Sequence, residues 1–104
     1  MTTVELAPQA RLDIIGITEV LAAAAGATVA FRYSHEFTAA IHQLTQFPRL
    51  GASRPKFGAG VRIWTIEPYV LDYDFSAGDD HLRILRIVHG KRNITRKLLP
   101  SGPQ

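Results

Sequence analysis

The side chains best suited to binding a ligand are the basic residues of the C-terminal quarter. His81 to Gln104 contains six arginine or lysine residues and no aspartate or glutamate. The chain has a net charge of +3, but residues 1–50 sum to −1 and residues 51–104 to +4. This excess predicts either a surface that binds an anionic partner (nucleic acid or an acidic protein segment) or a solvated tail that keeps the protein soluble.

The histidines do not predict a metal site. His35 and His42 are seven residues apart in one predicted helix, and His81 and His89 are eight apart in one predicted strand. Neither spacing gives the close pair of a helical metal site, and the chain has no cysteine. The glycine-rich stretch 58–60 precedes a strand rather than a helix, so it does not predict a phosphate loop. We therefore expect no metal and no cofactor.

Length and composition indicate one globular domain. A chain of 104 residues with 46% hydrophobic and 20% charged residues fits one compact core over residues 1–104, with residues 101–104 as a frayed tail. The longest apolar run, Val20 to Ala25, is too short to span a bilayer. No charged and then apolar signal segment opens the sequence. We expect a soluble, cytoplasmic protein with no membrane partner.

The first half of the chain predicts a short strand and a helical hairpin. Thr2 to Leu6 is rich in β-branched residues, which indicates a brief strand. Apolar residues then recur every three or four positions, first in a helix from Pro8 to Gly26 and then in a helix capped by Thr28 and ended by Pro48. The apolar positions are Ala10, Ile14, Ile17, Leu21 and Ala24, followed by Val29, Tyr33, Phe37, Ala40, Ile41, Leu44 and Phe47.

The second half predicts a loop and three strands. Arg49 to Gly60 shows no period and indicates a loop. Runs rich in β-branched and aromatic residues follow at Val61–Glu67, Tyr69–Phe75 and His81–His89. In the middle run, alternation puts Tyr69, Leu71, Tyr73 and Phe75 on one face and Asp72 and Asp74 on the other. The predicted fold is α+β: a short N-terminal strand and an α-helical hairpin packed on a small antiparallel sheet, in the order β-α-α-β-β-β.

Five short motifs occur in a defined order along the chain. They are Leu6-Ala7-Pro8, Phe47-Pro48-Arg49-Leu50-Gly51, Gly60-Val61-Arg62, Tyr69 to Tyr73, and Ile84-Leu85-Arg86-Ile87-Val88-His89-Gly90-Lys91-Arg92. Together they resemble the ParE-like branch of the ParE/RelE toxin superfamily, the plasmid-stabilisation type found in type II toxin–antitoxin systems. The resemblance extends from Leu6 to Leu98, and the last motif is the most specific part of it.

The superfamily includes RelE-like members, which are similar to ribosome-dependent mRNA endoribonucleases. RNA cleavage without a metal needs a group that activates the 2′-hydroxyl, cations beside the phosphate and an acid for the leaving oxygen. If the chain is such a nuclease, the candidate catalytic residues are Arg62, His89 and Arg92. However, Val70 and either Leu98 or Leu99 stand where the RelE-like pattern has an arginine and a tyrosine. The alternative role for His89 is a hydrogen bond that closes the end of the sheet.

The ParE-like resemblance instead implies a toxin that is not an enzyme. It implies inhibition of DNA gyrase, or of the gyrase–DNA complex, by binding, and neutralisation by a cognate ParD-like antitoxin in a hetero-oligomer. The candidate target contacts are Arg54, Lys56, Arg86, Lys91, Arg92, Arg96 and Lys97. The candidate antitoxin contacts are Phe31, Phe57, Arg62 and Trp64. Whether the chain binds nucleic acid on its own is left open.

Two positions depart from the family pattern. Ala7 stands where a small polar residue would cap the first helix, which would cost about 1 kcal/mol. Asn93 stands where an acidic residue usually follows the arginine. These departures keep a third interpretation open, in which the chain is a non-toxic member that only binds its antitoxin.

Overall fold

The computed structural model describes residues 2–90, which form two α-helices beside a five-stranded sheet. The strands are β1 (Thr3–Leu6), β2 (Ala52–Ser53), β3 (Val61–Ile66), β4 (Tyr69–Ser76) and β5 (His81–His89), and the helices are α1 (Pro8–Ala25) and α2 (Ala27–Gln46). A single 3-10 turn, Pro55–Phe57, lies between β2 and β3. Neither helix is long and apolar enough to cross a membrane.

The helical hairpin forms as the apolar spacing predicts, but its junction is different. Gly26 ends α1 with a φ of 96°, a left-handed conformation that favours glycine. α2 begins at the next residue, so the prediction that Thr28 caps this helix is wrong. At the start of α1, Ala7 provides no side-chain cap, as expected. Its methyl group is instead fully buried, and its N–H donates to the Ile84 carbonyl at 2.8 Å.

The segment after α2 differs from the prediction in two respects. α2 ends at Gln46, and Phe47 is 60% exposed, so Phe47 is not a core position of the helix. The predicted loop contains β2, which pairs antiparallel with Arg62 and Ile63 of β3. Two residues are too few to show an alternating pattern, and the sequence therefore gives no sign of this strand.

The sheet is mixed, with the strand order β1-β5-β4-β3-β2. The pairs β2–β3, β3–β4 and β4–β5 are antiparallel, whereas β1 runs parallel to β5, from Thr3 opposite His81 to Leu6 opposite Ile84. A parallel pair is possible because the helical hairpin and three strands separate β1 from β5 in the chain. The predicted α+β class and the order of the main elements are confirmed, with a mixed rather than a wholly antiparallel sheet.

The core lies between the helices and one face of the sheet. It contains Tyr69, Leu71 and Tyr73 of β4, Leu82, Ile84 and Ile87 of β5, and Ala10, Phe37 and Leu44 of the helices. The alternation of β4 directs Asp72 and Asp74 to the other face of the sheet. Asp74 is exposed there, but Asp72 is fully buried.

Candidate functional site

The loop after α2 is fixed by the hydroxyl group of Tyr73. This hydroxyl donates to the Pro48 carbonyl at 2.7 Å and accepts a hydrogen bond from the Gly51 N–H at 2.9 Å. A Cβ atom at Gly51 would lie 2.7 Å from the hydroxyl oxygen and 2.8 Å from the Ile63 carbonyl oxygen, so only glycine fits without displacement. Burial raises the pKa of Tyr73, which keeps its hydroxyl protonated at neutral pH.

Arg62 holds the same loop from β3. Its Nη1 donates to the carbonyl oxygens of Arg49 at 3.1 Å and Gly51 at 2.8 Å. The sequence predicts Arg62 as a nuclease side chain or an antitoxin contact. Because the structure places the guanidinium against the backbone of the loop, we assign Arg62 a positioning role.

Three exposed basic side chains lie on this fixed loop and the segment that follows it: Arg49, Arg54 and Lys56, here called the basic loop surface. The Arg49 guanidinium lies over the Phe75 ring, 5.3 Å from its centroid. Arg54 donates from Nη1 to the Ser53 carbonyl at 3.0 Å. These contacts orient two of the three cations without pairing them with a carboxylate.

The basic loop surface is suited to an anionic group. The chain has no acidic residue between Glu36 and Glu67, so neighbouring residues in sequence do not neutralise it. Arg54 and Lys56 are predicted target contacts, and the structure adds Arg49. The sequence signal for Arg49 is its place in the same aperiodic, glycine-containing segment.

Arg86, another predicted target contact, is largely buried in an ion pair with Asp13 of α1. Its Nε donates to Oδ2 at 2.7 Å and its Nη2 donates to Oδ1 at 3.0 Å, the forked geometry that a guanidinium and a carboxylate favour. The two side chains are 11% and 10% exposed. The hydrogen bonds to Asp13 raise the pKa of Arg86 above its ordinary value. Arg86 therefore joins β5 to α1, and this placement argues against Arg86 as a target contact.

The structure separates the two predicted nuclease residues that it describes, Arg62 and His89. Arg62 pairs with Tyr73 on one side of β4, and His89 pairs with Tyr69 on the other side. Those two tyrosines are four residues apart, which corresponds to about 13 Å along the strand. The His89 ring packs edge-on against the Tyr69 ring, with centroids 5.8 Å apart. The third candidate, Arg92, lies outside the described residues.

An open groove of about 310 Å³ borders His89 at the end of the sheet. Among the described residues, its titratable side chains are Glu67 and His89, and Val70 lines it as well. A glutamate and a histidine beside a valine do not supply the cluster of cations that stabilises a phosphorane. Within residues 2–90, the lining of the groove therefore lacks the cations that the nuclease interpretation requires.

The exposed apolar side chains of the hairpin are Leu12, Ile15 and Val20 of α1 and Phe31 of α2, here called the helical apolar surface. Phe31, a predicted antitoxin contact, is 74% exposed. Val20 and Phe31 lie six and five residues from Gly26, which places them at a similar level of the hairpin. The three residues of α1 are not among the predicted contacts, because they lie off the apolar stripe that faces the core. Apolar residues on a second face of a helix are the signal that could have identified them.

The other predicted antitoxin contacts are less accessible. Trp64 is half-buried and packs against the core cluster. Phe57 is half-buried in the 3-10 turn. Phe31 is therefore the most open of the predicted aromatic contacts.

The remaining predicted target contacts, Lys91, Arg92, Arg96 and Lys97, lie outside the described residues and stay predictions, as does any effect of Asn93. Within residues 2–90, no three histidine, aspartate or glutamate side chains are placed to hold a metal ion together.

Two solved structures share the fold. The chromosomal ParDE system from P. aeruginosa matches with a TM-score of 0.71 and 24% identity, covering 86% of this chain and 96% of that chain. The RelBE2 toxin–antitoxin complex from Mycobacterium tuberculosis matches with a TM-score of 0.55 and 26% identity, covering 85% and 96% of the two chains.

Sequence comparisons are more specific. The curated protein Toxin ParE3 of Caulobacter vibrioides is 32% identical over 73 residues, which are 70% of this chain and 71% of that protein. The family model for the ParE toxin of the type II toxin–antitoxin system parDE matches residues 4–94. The resemblance carried by the five motifs is thereby confirmed, and the chain belongs to the ParE toxin family of type II toxin–antitoxin systems.

Proposed function

We propose that this ParE-family toxin blocks DNA gyrase by binding it and performs no chemistry of its own. The observation that carries the proposal is the contact of Arg62 with the loop after α2, which its guanidinium holds in place. A ribonuclease needs its cations directed at one phosphate. Here the Arg62 guanidinium is bound to two backbone carbonyls, and its position is about 13 Å along β4 from that of His89.

The basic loop surface supports a contact with the gyrase–DNA complex. Four hydrogen bonds with Tyr73 and Arg62 hold the backbone from Pro48 to Gly51. Arg49 lies within this segment, and Arg54 and Lys56 come shortly after it. A fixed backbone loses less conformational entropy when it binds, so the available contacts contribute more to affinity. DNA phosphates and acidic protein segments both match the charge of this surface.

Replacing Arg54 and Lys56 together with alanine should weaken inhibition of gyrase about tenfold, since exposed ionic contacts each contribute up to about 1 kcal/mol. The measurement is the toxin concentration that halves DNA supercoiling by purified gyrase. Arg11→Ala with Arg32→Ala is the matched control, because it removes two exposed cations from the helices instead. An equal loss in the control pair would show an effect of total charge and contradict a specific role for the basic loop surface.

The RelE-like alternative is tested on the same purified chain. A binding toxin should leave ribosome-bound mRNA intact in a primer-extension assay. Codon-specific cuts in that mRNA would overturn the proposal and establish ribonuclease activity.

We infer that the neutralising partner is a ParD-like antitoxin that covers the helical apolar surface. Four large apolar side chains are exposed on this hairpin, and a partner that removes them from water would gain affinity from their burial. The net charge of +3 favours an acidic partner segment and faster association with it. The two matched structures come from toxin–antitoxin systems, which supports a partner of this class.

Phe31→Asp should reduce rescue by the antitoxin, because it places a charge in the proposed apolar contact. Expression of the wild-type chain alone should arrest bacterial growth, and co-expression of the neighbouring antitoxin gene should restore it. With Phe31→Asp the arrest should persist, and the antitoxin should no longer copurify with the toxin.

Thr38→Asp is the control for this experiment, because it adds the same charge at another exposed position of α2. Loss of rescue in both variants would contradict a specific contact at Phe31. Absence of arrest by the wild-type chain, with copurification retained, would identify the non-toxic, antitoxin-binding member considered above.

A further inference from the structure

Asp72 is a carboxyl group in the interior whose two oxygen atoms have no hydrogen-bond partner among residues 2–90. Its side chain is 0% exposed, and both Oδ1 and Oδ2 are unpartnered. Sequence alternation predicts only that Asp72 shares a face with the exposed Asp74. An ionised carboxylate in such surroundings is costly unless it is paired, so burial favours the protonated form and the neighbouring charges modify that preference.

Within residues 2–90, the charges that act on Asp72 come from β5 and α1. Asp72 lies opposite Arg86 in the β4–β5 pairing, next to an irregularity where β5 holds one extra residue. Arg86 is in turn bound by Asp13 of α1. On its other side, β3 places the uncharged Ile63 opposite Asp72. The next charged residues in register along β4 and β5 are Asp74 and Arg83.

Asp13 links this cluster to the helix. Its carboxylate accepts hydrogen bonds from Arg86 Nε at 2.7 Å, from Arg86 Nη2 at 3.0 Å and from the Ile87 N–H at 3.0 Å. β1 pairs with β5 only as far as Ile84. Beyond Ile84, the Ile87 N–H of β5 donates to Asp13 of α1 instead of to a strand. At this end of β5, α1 is therefore the neighbouring element in place of β1.

We propose that Asp72, Arg86 and Asp13 form a proton-operated latch between β5 and α1. While Asp72 holds its proton, the cluster contains one carboxylate and one guanidinium, and Arg86 binds Asp13. When Asp72 releases its proton to water, a second carboxylate competes for the same guanidinium. The hydrogen bonds from Arg86 and Ile87 to Asp13 then weaken, and α1 is held less firmly against the sheet.

Burial places this transition in the neutral range. It raises the pKa of Asp72 to about 7, while the charge of Arg86 opposes the rise and the charge of Asp13 adds to it. An exposed aspartate is fully ionised at that pH. The latch is a property of this fold and does not depend on the target or the antitoxin proposed above.

The backbone amide of Ile87 reports the state of the latch, because it donates to Asp13. In proton–nitrogen correlation spectra of the full chain, recorded from about pH 5.5 to about pH 8.5, we expect this amide to shift through one transition near the raised pKa. Asp72→Asn mimics the protonated form and should abolish the transition. Asp74→Asn changes an exposed neighbour on the same strand and should leave the transition as in the wild type.

Two results would overturn the latch: an Ile87 amide that does not shift in the wild-type chain, or a transition that survives Asp72→Asn. The carboxyl carbon resonances of the wild-type chain give a test that needs no variant. Asp72 should titrate near neutral pH, and the Asp13 resonance should respond at the same midpoint. Titration of Asp72 with no response at Asp13 would show a buried carboxyl group without a latch.

Discussion

Tyr73 shows how one side chain serves both the core and a functional surface. Its ring is part of the core cluster, and its hydroxyl holds the start of the loop that carries Arg49. Alternation along β4 predicts the ring's inward position. It cannot predict the hydroxyl's partners, Pro48 and Gly51, because they lie 25 and 22 residues away in sequence.

Tyr73→Phe should lower the free energy of unfolding by about 1–3 kcal/mol, because the Gly51 N–H and the Pro48 carbonyl lose their partner in a buried place. Urea denaturation measures the change. Tyr33→Phe is the matched control, since Tyr33 packs against the same core cluster and loses the same atom. Equal losses in the two variants would contradict the role assigned to the Tyr73 hydroxyl.

The sequence does not predict which partners the charged side chains contact. Arg62 and Arg86 belong to family motifs and carry the charge that a nucleic-acid or protein contact needs, which is why both were predicted as functional residues. Their partners are two loop carbonyls and Asp13, the latter 73 residues away. A single sequence does not show such distant pairs, so it cannot separate a cation used inside the fold from one left for a partner.

At the scale of elements, the periodicity of apolar residues predicts the long helices and strands but not the shortest strand. Helices of 18 and 20 residues and strands of six to nine residues repeat their pattern often enough to be recognised. The two-residue β2 does not. The direction of β1 was missed for another reason: strand direction follows from the path of the chain, and the apolar pattern of four residues does not record it.

The two proposed surfaces lie on different elements. The helical apolar surface belongs to α1 and α2, whereas the basic loop surface belongs to the segment between α2 and β3. The Phe31→Asp and the Arg54→Ala/Lys56→Ala variants should therefore affect antitoxin binding and gyrase inhibition separately. Asp13 and Arg86 connect α1 to the sheet, so the buried carboxyl group of Asp72 next to this pair affects the whole domain.

For the whole molecule, the buried carboxyl group of Asp72 predicts an unusual dependence of stability on pH. The pKa of Asp72 is raised from 3.8 to about 7 in the folded chain. Between these values the folded chain keeps a proton that the unfolded chain has released, so the contribution of Asp72 to stability is lost as the pH rises. Each pH unit in this window corresponds to about 1.4 kcal/mol, and the total loss is at most about 4 kcal/mol.

Asp72→Asn removes this titration, so its stability relative to the wild type should increase from about pH 4 to about pH 7 and then stay constant. Urea denaturation of both chains at several pH values measures the difference, and the subtraction cancels groups that titrate equally in both. Asp74→Asn should show little change over the same range, because Asp74 is exposed. A difference between Asp72→Asn and the wild type that does not vary with pH would mean that Asp72 is already ionised in the folded chain at low pH. Arg86 would then neutralise both carboxylates throughout, and neither the raised pKa nor the latch would apply.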